Sequence, residues 1–219
     1  MEHEHNWITS EEVHQYVQRY SIPETEVLLA LNKETNESVK GAQMLSGAHQ
    51  GAILKMLSAL INPRNVLELG TYTGYSAICL AEGLQEDGKV HTIDIDERLN
   101  PMRIQYWEAA GLQAKIIQHI GPALEVVPAL EDTFDLVFLD ADKGNYINYF
   151  DLLMDVLPVG AVILADNVMF HGDVLKPEEE QSKAAKHIQA FNDHVQASDR
   201  VATVMLPVRD GISIIRKIK

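Results

Sequence analysis

This sequence has little cysteine, no long apolar run and no excess of positive charge. Cys79 is the single cysteine, so the chain cannot close an intrachain disulfide, which is typical of the reducing cytoplasm. No apolar run approaches the roughly 20 residues that span a bilayer, and the acidic start MEHEHNWITSEE is unlike a secretory signal. The net charge of −14 argues against broad contact with nucleic-acid phosphates or anionic membranes. These absences favour a cytoplasmic protein without a membrane partner.

The sequence does contain a regular alternation of short apolar runs and helix-like stretches. The length of 219 residues predicts one domain over residues 1–219, with helices over about 10–60 that cap the site. Strands are predicted at residues 65–69, 90–94, 115–119, 134–139 and 161–165, separated by helices at about 74–86, 97–110, 122–130 and 145–157. This order predicts a doubly wound α/β sheet that is mostly parallel and covered on both faces.

The last part of the chain departs from this alternation. After a helix predicted near residues 181–197, the apolar runs RVATVMLPV and ISIIRKI flank Arg209-Asp210-Gly211. An Asp-Gly pair between two apolar runs predicts an antiparallel hairpin with a tight turn. We therefore expect a seven-stranded Rossmann-like sheet, mostly parallel, that ends in this hairpin.

The first predicted strand runs into a glycine turn, Gly70-Thr71-Tyr72-Thr73-Gly74. Gly70 would let the backbone approach a ligand closely. A dinucleotide fingerprint needs a further glycine where this chain has Tyr72, whose side chain hinders a pyrophosphate. Asp94 ends the second strand, where an acid commonly binds both hydroxyls of an adenosine ribose. A ribose-binding acid without a diphosphate turn favours an adenosine cofactor that lacks phosphates, and S-adenosylmethionine is the commonest.

Glu68 is an acid inside the apolar run VLEL of the first strand. Burial of a carboxylate is costly unless it is paired. Glu68 therefore either accepts a hydrogen bond from the cofactor or is a satisfied structural acid.

Two further apolar runs end in acids, Asp140 in LDADK and Asp166 in LADN. The carboxyl ends of neighbouring parallel strands border the ligand crevice, so Asp140, Asp166 and Asn167 are expected to converge there, with Lys143 nearby. Such oxygen ligands suit Mg²⁺, Mn²⁺ or Ca²⁺, and the amine suits a base. Each residue alone is as readily a helix cap, a turn residue or a solvated lysine. The set in this order favours a metal centre.

Four segments, LELGTYTGYS, HTIDID, FLDADKGNY and LADN, together resemble the metal-dependent class I O-methyltransferases that use S-adenosylmethionine. This family includes catechol and caffeoyl-coenzyme A O-methyltransferases and bacterial relatives. The resemblance covers residues from about 41 to 219 and includes GAQMLSGAHQG, IGPALE and LPVRDG. It implies a Rossmann-like methyltransferase fold and a homodimer.

The resemblance also implies roles for individual residues. Asp140, Asp166 and Asn167 match the metal ligands of the family, and Lys143 matches its catalytic lysine. The cofactor-binding positions that it implies are Met44, Ser46, Glu68, Gly70, Tyr72, Ser76, Asp94, Ala123, Asp140 and Asp142. Among them, Met44 and Ser46 belong to the segment that closes over the cofactor.

The chemistry of methyl transfer explains these residue types. The attacking oxygen must be ionised and in line with the sulfonium methyl, yet a phenol ionises near pH 10. A divalent cation lowers the pKa of an oxygen that it coordinates, and two vicinal hydroxyls can chelate it. Lys143 can accept the proton only if its own pKa falls, and we expect the cation and partial burial to lower it. The sequence thus predicts an O-methyltransferase that uses Mg²⁺ and acts on a catechol-like small molecule.

Two alternatives remain open: a tRNA hydroxyuridine O-methyltransferase, which the net charge of −14 disfavours, and a cofactor-binding protein without activity. Residues 169–181 form a polar stretch that is placed to cover the acceptor. His171 within it either contacts the substrate or is solvated, and Arg209 either pairs with an acidic group of the acceptor or lies on the surface. Tyr146 and Tyr149, at helical spacing, are expected to be packing or interface residues.

Overall fold

Three helices precede the sheet in residues 8–219, the part of the chain that a computed structural model describes. They are α1 (Glu11–Arg19), α2 (Glu26–Ser38) and α3 (Gly47–Ile61), with a 3-10 turn at Ala42–Met44. The side chains of Ser10 and Thr25 cap α1 and α2 by accepting hydrogen bonds from backbone amides of the first turn, as N-cap residues do. The region predicted to be helical is therefore divided into separate helices by these caps.

Strands and helices then alternate along the chain. In order they are β1 (Asn65–Leu69), α4 (Tyr75–Ala81), β2 (Lys89–Asp94), α5 (Asn100–Ala109), β3 (Ile116–Ile120), α6 (Ala123–Val126), β4 (Leu136–Leu139), α7 (Tyr146–Val156), β5 (Val162–Asp166), α8 (Lys183–Ala197), β6 (Val201–Leu206) and β7 (Ile212–Lys217). The apolar runs of β1, β2, β4 and β5 are largely buried because helices cover both faces of the sheet, whereas β3 at the edge is mostly exposed or half-buried.

Within the described residues the seven strands form one sheet in the order β3-β2-β1-β4-β5-β7-β6. The strands β1 to β5 pair in parallel, whereas β7 pairs antiparallel with both β5 and β6. Since β1 lies between β2 and β4, the chain reverses its winding there, which creates a crevice at the carboxyl ends of these strands. The predicted doubly wound sheet with a terminal hairpin is confirmed.

The connection between β6 and β7 is longer than the predicted tight turn, which is therefore wrong in detail. Residues 207–211 separate the two strands. Pro207 has no amide hydrogen for the ladder, and the chain turns instead through hydrogen bonds from Val208 N to Leu206 O and from Gly211 N to Val208 O, at 2.9 and 2.8 Å. The extra residues bring Arg209 towards the N-terminal helices.

The core lies on both faces of the sheet. One face packs Leu67, Val137 and Ile163 against α7 and α8, while the other packs Val66, Leu136, Phe138 and Leu164 against α2 to α5. Cys79 is buried in the second layer, and burial raises the pKa of its thiol. No helix among residues 8–219 is long and apolar enough to cross a membrane.

Candidate active site

The predicted site residues from Glu68 onwards lie at or near the carboxyl edge of the sheet, whereas Met44 and Ser46 lie in the 3-10 turn and at the start of α3. Leu69 of β1 is in register with Leu139 of β4, and Leu139 is in register with Ala165 of β5. The residues that follow these three positions are therefore neighbours. We call the region around β1, β2 and the glycine turn, where the sequence predicts the cofactor, the cofactor half. The region at the ends of β4 and β5, where it predicts the acceptor, is called the acceptor half. Ala123 begins α6, directly after β3, at the same edge.

The glycine turn is shaped by contacts within the protein. Gly70 has φ of 99°, and a Cβ atom there would lie 2.0 Å from the carbonyl oxygen of Asp140. The glycine is thus required by the close approach of the chain after β4, a reason that differs from the predicted approach of a ligand. Tyr72 has φ of 49°, and its hydroxyl donates to the carbonyl of Lys40 at 3.2 Å. Tyr72 therefore connects the turn to the N-terminal segment.

Asp94 binds the glycine turn from the end of β2. Its Oδ2 accepts hydrogen bonds from the amides of Thr71 and Tyr72 at 3.1 and 2.8 Å, and its Oδ1 accepts one from the amide of Asp96 at 2.8 Å. Arg103, which is fully buried, donates to the same Oδ2 at 2.9 Å and to the carbonyl of Tyr72 at 2.6 Å. Asp94 and Arg103 thus hold the turn through contacts within the protein.

Glu68 is completely buried on β1. Its Oε2 accepts a 2.5 Å hydrogen bond from the hydroxyl of Thr92, while Oε1 accepts no bond of ordinary geometry from any residue that the structure describes. Burial raises the pKa of Glu68 to about 7, although Ser76 and Thr92 act to lower it. A buried acceptor without a partner is costly, so this oxygen is suited to a donor supplied by a ligand.

In the acceptor half, Lys143 lies between an acid and a phenol. Its Nζ is 2.9 Å from Asp140 Oδ1 and 2.8 Å from the hydroxyl of Tyr146. The Tyr146 hydroxyl is also 3.2 Å from the carbonyl of Leu139 and 3.1 Å from that of Asp166. Tyr146 therefore joins the ends of β4 and β5 and orients the lysine.

The acids beside Lys143 determine the direction of its pKa. Burial lowers it, as expected, but the charges of Asp140 and Asp166 and the contact with Tyr146 raise it, and the net direction is upwards. The predicted fall of this pKa depended on a cation beside the lysine as well as on burial, and it stays a prediction for the protein with that cation bound.

Asp166 is buried at the end of β5. Its Oδ1 accepts from the amide of Asn167 at 2.8 Å, and its Oδ2 accepts from the side chain of Gln50 at 2.7 Å. Burial and the charge of Asp140 raise the pKa of Asp166. The side-chain nitrogen of Asn167, Nδ2, is 3.4 Å from Asp210 Oδ2.

This donor set fits a cation by its chemistry. Among the described residues no group of three or more His, Cys, Asp and Glu side chains is placed to hold a metal ion. The acceptor half offers two carboxylates, Asp140 and Asp166, and the amide oxygen of Asn167. These oxygens suit a hard divalent ion, and a cation would offset the repulsion that raises the pKa of Asp166.

Comparison with known proteins decides the family. The O-methyltransferase family model matches residues 18–218. Caffeoyl-CoA O-methyltransferase 1 of Arabidopsis thaliana is 34% identical over 96% of this chain and 86% of its own length. The chain belongs to the O-methyltransferase family.

Solved structures agree with this assignment. The O-methyltransferase TomG of Streptomyces achromogenes, in complex with SAM, is 28% identical with a TM-score of 0.84 over the whole of both chains. The O-methyltransferase of Bacillus cereus, in complex with SAH, is 29% identical with a TM-score of 0.82 over 94% of this chain and 97% of its own. The predicted S-adenosylmethionine-dependent O-methyltransferase is confirmed as the enzyme class.

Residues 169–181 of this O-methyltransferase have more structure than the polar stretch expected from the sequence. They contain two 3-10 helices, Phe170–Leu175 and Glu178–Glu180. His171 has φ of 56° and places its Nδ1 3.0 Å from Asp210 Oδ1 while half of the side chain stays exposed. His171 thus pairs with the residue that also contacts Asn167.

Several side chains that organise the methyltransferase site were missed in the sequence. Tyr146 and Tyr149 were expected to be packing or interface residues; both are buried, but Tyr146 holds Lys143, and Tyr149 donates to Asp142 Oδ2 at 2.6 Å. Their spacing of three and six residues after Lys143 was the available signal, because a helix that begins there turns both towards the strand ends. Gln50 gave no such signal, because its partners Asp166 and Arg209 are distant in sequence.

Proposed function

We propose that this O-methyltransferase transfers the methyl group of S-adenosylmethionine to one hydroxyl of a catechol-like small molecule, with a divalent cation bound in the acceptor half. The observation that carries the proposal is the pair of neighbouring carboxylates, Asp140 and Asp166, beside an amide oxygen and an amine at adjacent strand ends. Asp166 is buried, and its pKa is raised in part by Asp140. Such a pair favours a ligand of opposite charge.

Asp140, Asp166 and Asn167 would hold the cation, with Mg²⁺ the first candidate and Mn²⁺ or Ca²⁺ also suited to the donors. A bound divalent ion lowers the pKa of the hydroxyl oxygen that it coordinates. The chain itself supplies the orientation of these ligands. The backbone N–H of Asn167 and the side chain of Gln50 hold the carboxylate of Asp166 in place. The hydroxyl of Tyr146 lies within hydrogen-bond distance of carbonyls at the ends of both β4 and β5.

Lys143 is proposed as the base that takes the proton of the acceptor hydroxyl. In the present arrangement Asp140 and Asp166 raise its pKa while burial lowers it. If the charges of these two acids are balanced, burial becomes the dominant influence and the pKa falls towards the range in which an amine exchanges protons. Tyr146 then holds the amine in place through its hydroxyl.

The cofactor half is proposed to bind S-adenosylmethionine. Glu68, with its unpartnered Oε1, and the neighbouring Gly70, Tyr72 and Ser76 would contact the methionine part. Asp94 would accept ribose hydroxyls. The remaining positions would surround the cofactor: Ala123 near the adenine, Asp140 and Asp142 beside it, and Met44 and Ser46 above it.

We further propose that residues 1–219 act as one domain, in the cytoplasm, and as a homodimer. A single sheet that takes in all strands of the described residues supports one domain. The buried, reduced Cys79 suits a reducing compartment. The homodimer is carried over from the family resemblance alone.

The test is methyl transfer from labelled S-adenosylmethionine by the purified protein. We expect label in a caffeate-type catechol when Mg²⁺ is present, loss of transfer with a chelator, and recovery when Mg²⁺ is restored. The matched control is the monophenol that lacks the second hydroxyl, which should accept no label. Bulk tRNA is the second arm, because a hydroxylated uridine is the alternative acceptor.

Label in tRNA alone would replace the catechol proposal with the tRNA alternative. Equal rates with and without the chelator would contradict the role of the cation. Equal transfer to the monophenol and the catechol would contradict chelation by two vicinal hydroxyls.

A further inference from the structure

Arg209 has an unfavourable backbone conformation in the connection between β6 and β7. Its φ is 49°, in the left-handed region that is uncommon for residues with a Cβ. A residue with a Cβ is strained in that region, and such residues persist when the surrounding structure compensates. The compensation at Arg209 comes from its side chain.

The guanidinium of Arg209 crosses from the hairpin to the N-terminal segment. Its Nη1 donates to the carbonyl of Ser46 and to Oε1 of Gln50, and its Nη2 donates to the carbonyl of Leu45 at 3.2 Å. These partners are more than 150 residues away in sequence. The planar fork of an arginine can serve several acceptors at once, whereas a lysine ammonium is a point charge.

Gln50 extends this connection into the acceptor half. Its Oε1 accepts from Arg209, and its Nε2 donates to Asp166 Oδ2 at 2.7 Å. Gln50 is fully buried, so its amide has no water to replace either partner. The contact with Arg209 also fixes which end of the amide faces Asp166, because the oxygen must face the guanidinium.

We infer that Arg209 is a positioning residue that holds residues 45–50 against the hairpin, closing the segment over the cofactor and aiming Gln50 at Asp166. This inference rests on the proposed placement of Met44 and Ser46 over S-adenosylmethionine. It gives Arg209 a role between the two halves of the site, different from both the acidic-acceptor contact and the surface position considered for it in the sequence.

The decisive variant is Arg209→Gly, because glycine adopts a φ of 49° without strain. We expect the variant to fold with only a modest loss of stability, because relief of the left-handed backbone offsets part of the cost of the lost hydrogen bonds. Binding of S-adenosylhomocysteine, measured by calorimetry, should weaken about tenfold, as the loss of one hydrogen bond to a charged group implies. Amide hydrogen exchange over residues 42–50 should become faster.

Two matched variants separate positioning from charge. Arg209→Lys keeps the charge but loses the fork, and we expect affinity between that of the wild type and that of Arg209→Gly. Arg216→Ala removes an exposed arginine from the same hairpin and should bind S-adenosylhomocysteine as the wild type does. Affinity and exchange rates in Arg209→Gly that match the wild type would overturn the inference. A large drop in melting temperature with exchange raised throughout the chain would also overturn it, by showing a general structural role.

These measurements need neither an acceptor nor a divalent cation. Failure of the catechol assay would therefore leave the result for Arg209 intact. If Arg209→Gly bound S-adenosylhomocysteine as the wild type does, the result of the assay for metal-dependent transfer would likewise still stand.

Discussion

Each half of the candidate active site contains a positively charged side chain. Arg103 in the cofactor half and Lys143 in the acceptor half are held in different ways. Arg103 in the cofactor half is fully buried and donates to Asp94, the carbonyl of Tyr72 and Asn100 at 2.9, 2.6 and 2.9 Å. Lys143 in the acceptor half keeps 16% of its side chain exposed and contacts only an acid and a phenol in the described structure.

The difference follows the chemistry of each half. A guanidinium stays charged at any physiological pH and is rigid, so Arg103 can only hold the glycine turn and Asp94 in place. An ammonium has a pKa that its neighbours can move over several units. The glycine turn of the cofactor half is thus fixed by a charge that does not change. In the acceptor half, the charges of the two carboxylates determine the pKa of Lys143.

Replacement of Lys143 should have the largest effect. We expect Lys143→Ala to lower kcat by about 10²–10⁴-fold, the usual contribution of a general base, with affinity for S-adenosylhomocysteine within about twofold of the wild type. Steady-state kinetics and calorimetry separate the two quantities.

Lys143→Arg sharpens the test, because arginine can pair with Asp140 but cannot accept a proton at neutral pH. If Lys143 is a base, this variant should be nearly as slow as Lys143→Ala. Wild-type turnover in Lys143→Arg would show that only the positive charge is needed. Lys143 would then hold its neighbours as Arg103 does, without exchanging a proton.

The strand ends and their acids could be predicted because each signal is local. An apolar run followed by Asp140 or by Asp166-Asn167 contains both the strand and the residue that ends it. The partners of these acids could not be predicted, since Gln50 is 116 residues from Asp166. For a related reason the sequence could not weigh the charges around Lys143. It shows that acids are near the lysine, but not whether their effect on its pKa outweighs that of burial.

Backbone conformation was a second limit. Tyr72, Asn167 and Arg209 all adopt positive φ without being glycine, at 49°, 57° and 49°. Tertiary contacts accompany two of these conformations: Arg103 binds the carbonyl of Tyr72, and Ser46 and Gln50 bind the side chain of Arg209. Turn rules based on local sequence favour glycine or asparagine at such positions, so they accommodate Asn167 but cannot identify Tyr72 and Arg209.

Glu68 gives the next largest expected effect and concerns the cofactor half. Burial raises its pKa from 4.5 to about 7 in the folded protein. Between these values the folded form keeps a proton that the unfolded form has released, so stability is lost as the pH rises from about 4.5 to 7. For a group that is completely buried, the loss without cofactor is on the order of 3 kcal/mol.

Glu68→Gln removes this titration. We expect the cofactor-free variant to be more stable than the wild type at pH 8, with a smaller change between pH 5 and 7, in urea unfolding followed by circular dichroism. Its affinity for S-adenosylhomocysteine should fall about tenfold if Oε1 accepts a bond from the cofactor. Glu125→Gln, at an exposed acid, is the control. Equal pH slopes in wild type and Glu68→Gln would assign the pH dependence to other groups.

Arg103→Lys should have the smallest of these effects and tests the other side of the comparison. The substitution keeps the charge beside Asp94 but loses the fork that also reaches Tyr72 and Asn100. We expect stability to fall by about 2 kcal/mol, which lowers the melting temperature by roughly 4–8 °C in a chain of this size.

Because the glycine turn is then held less firmly, affinity for S-adenosylhomocysteine should fall a few-fold, while kcat at saturating cofactor stays near the wild-type value. This pattern is opposite to that of Lys143→Arg, in which turnover falls and affinity is kept. If Arg103→Lys instead lowered kcat at saturating cofactor, Arg103 would act on the reaction itself. The proposed difference between the cofactor half and the acceptor half would then be wrong.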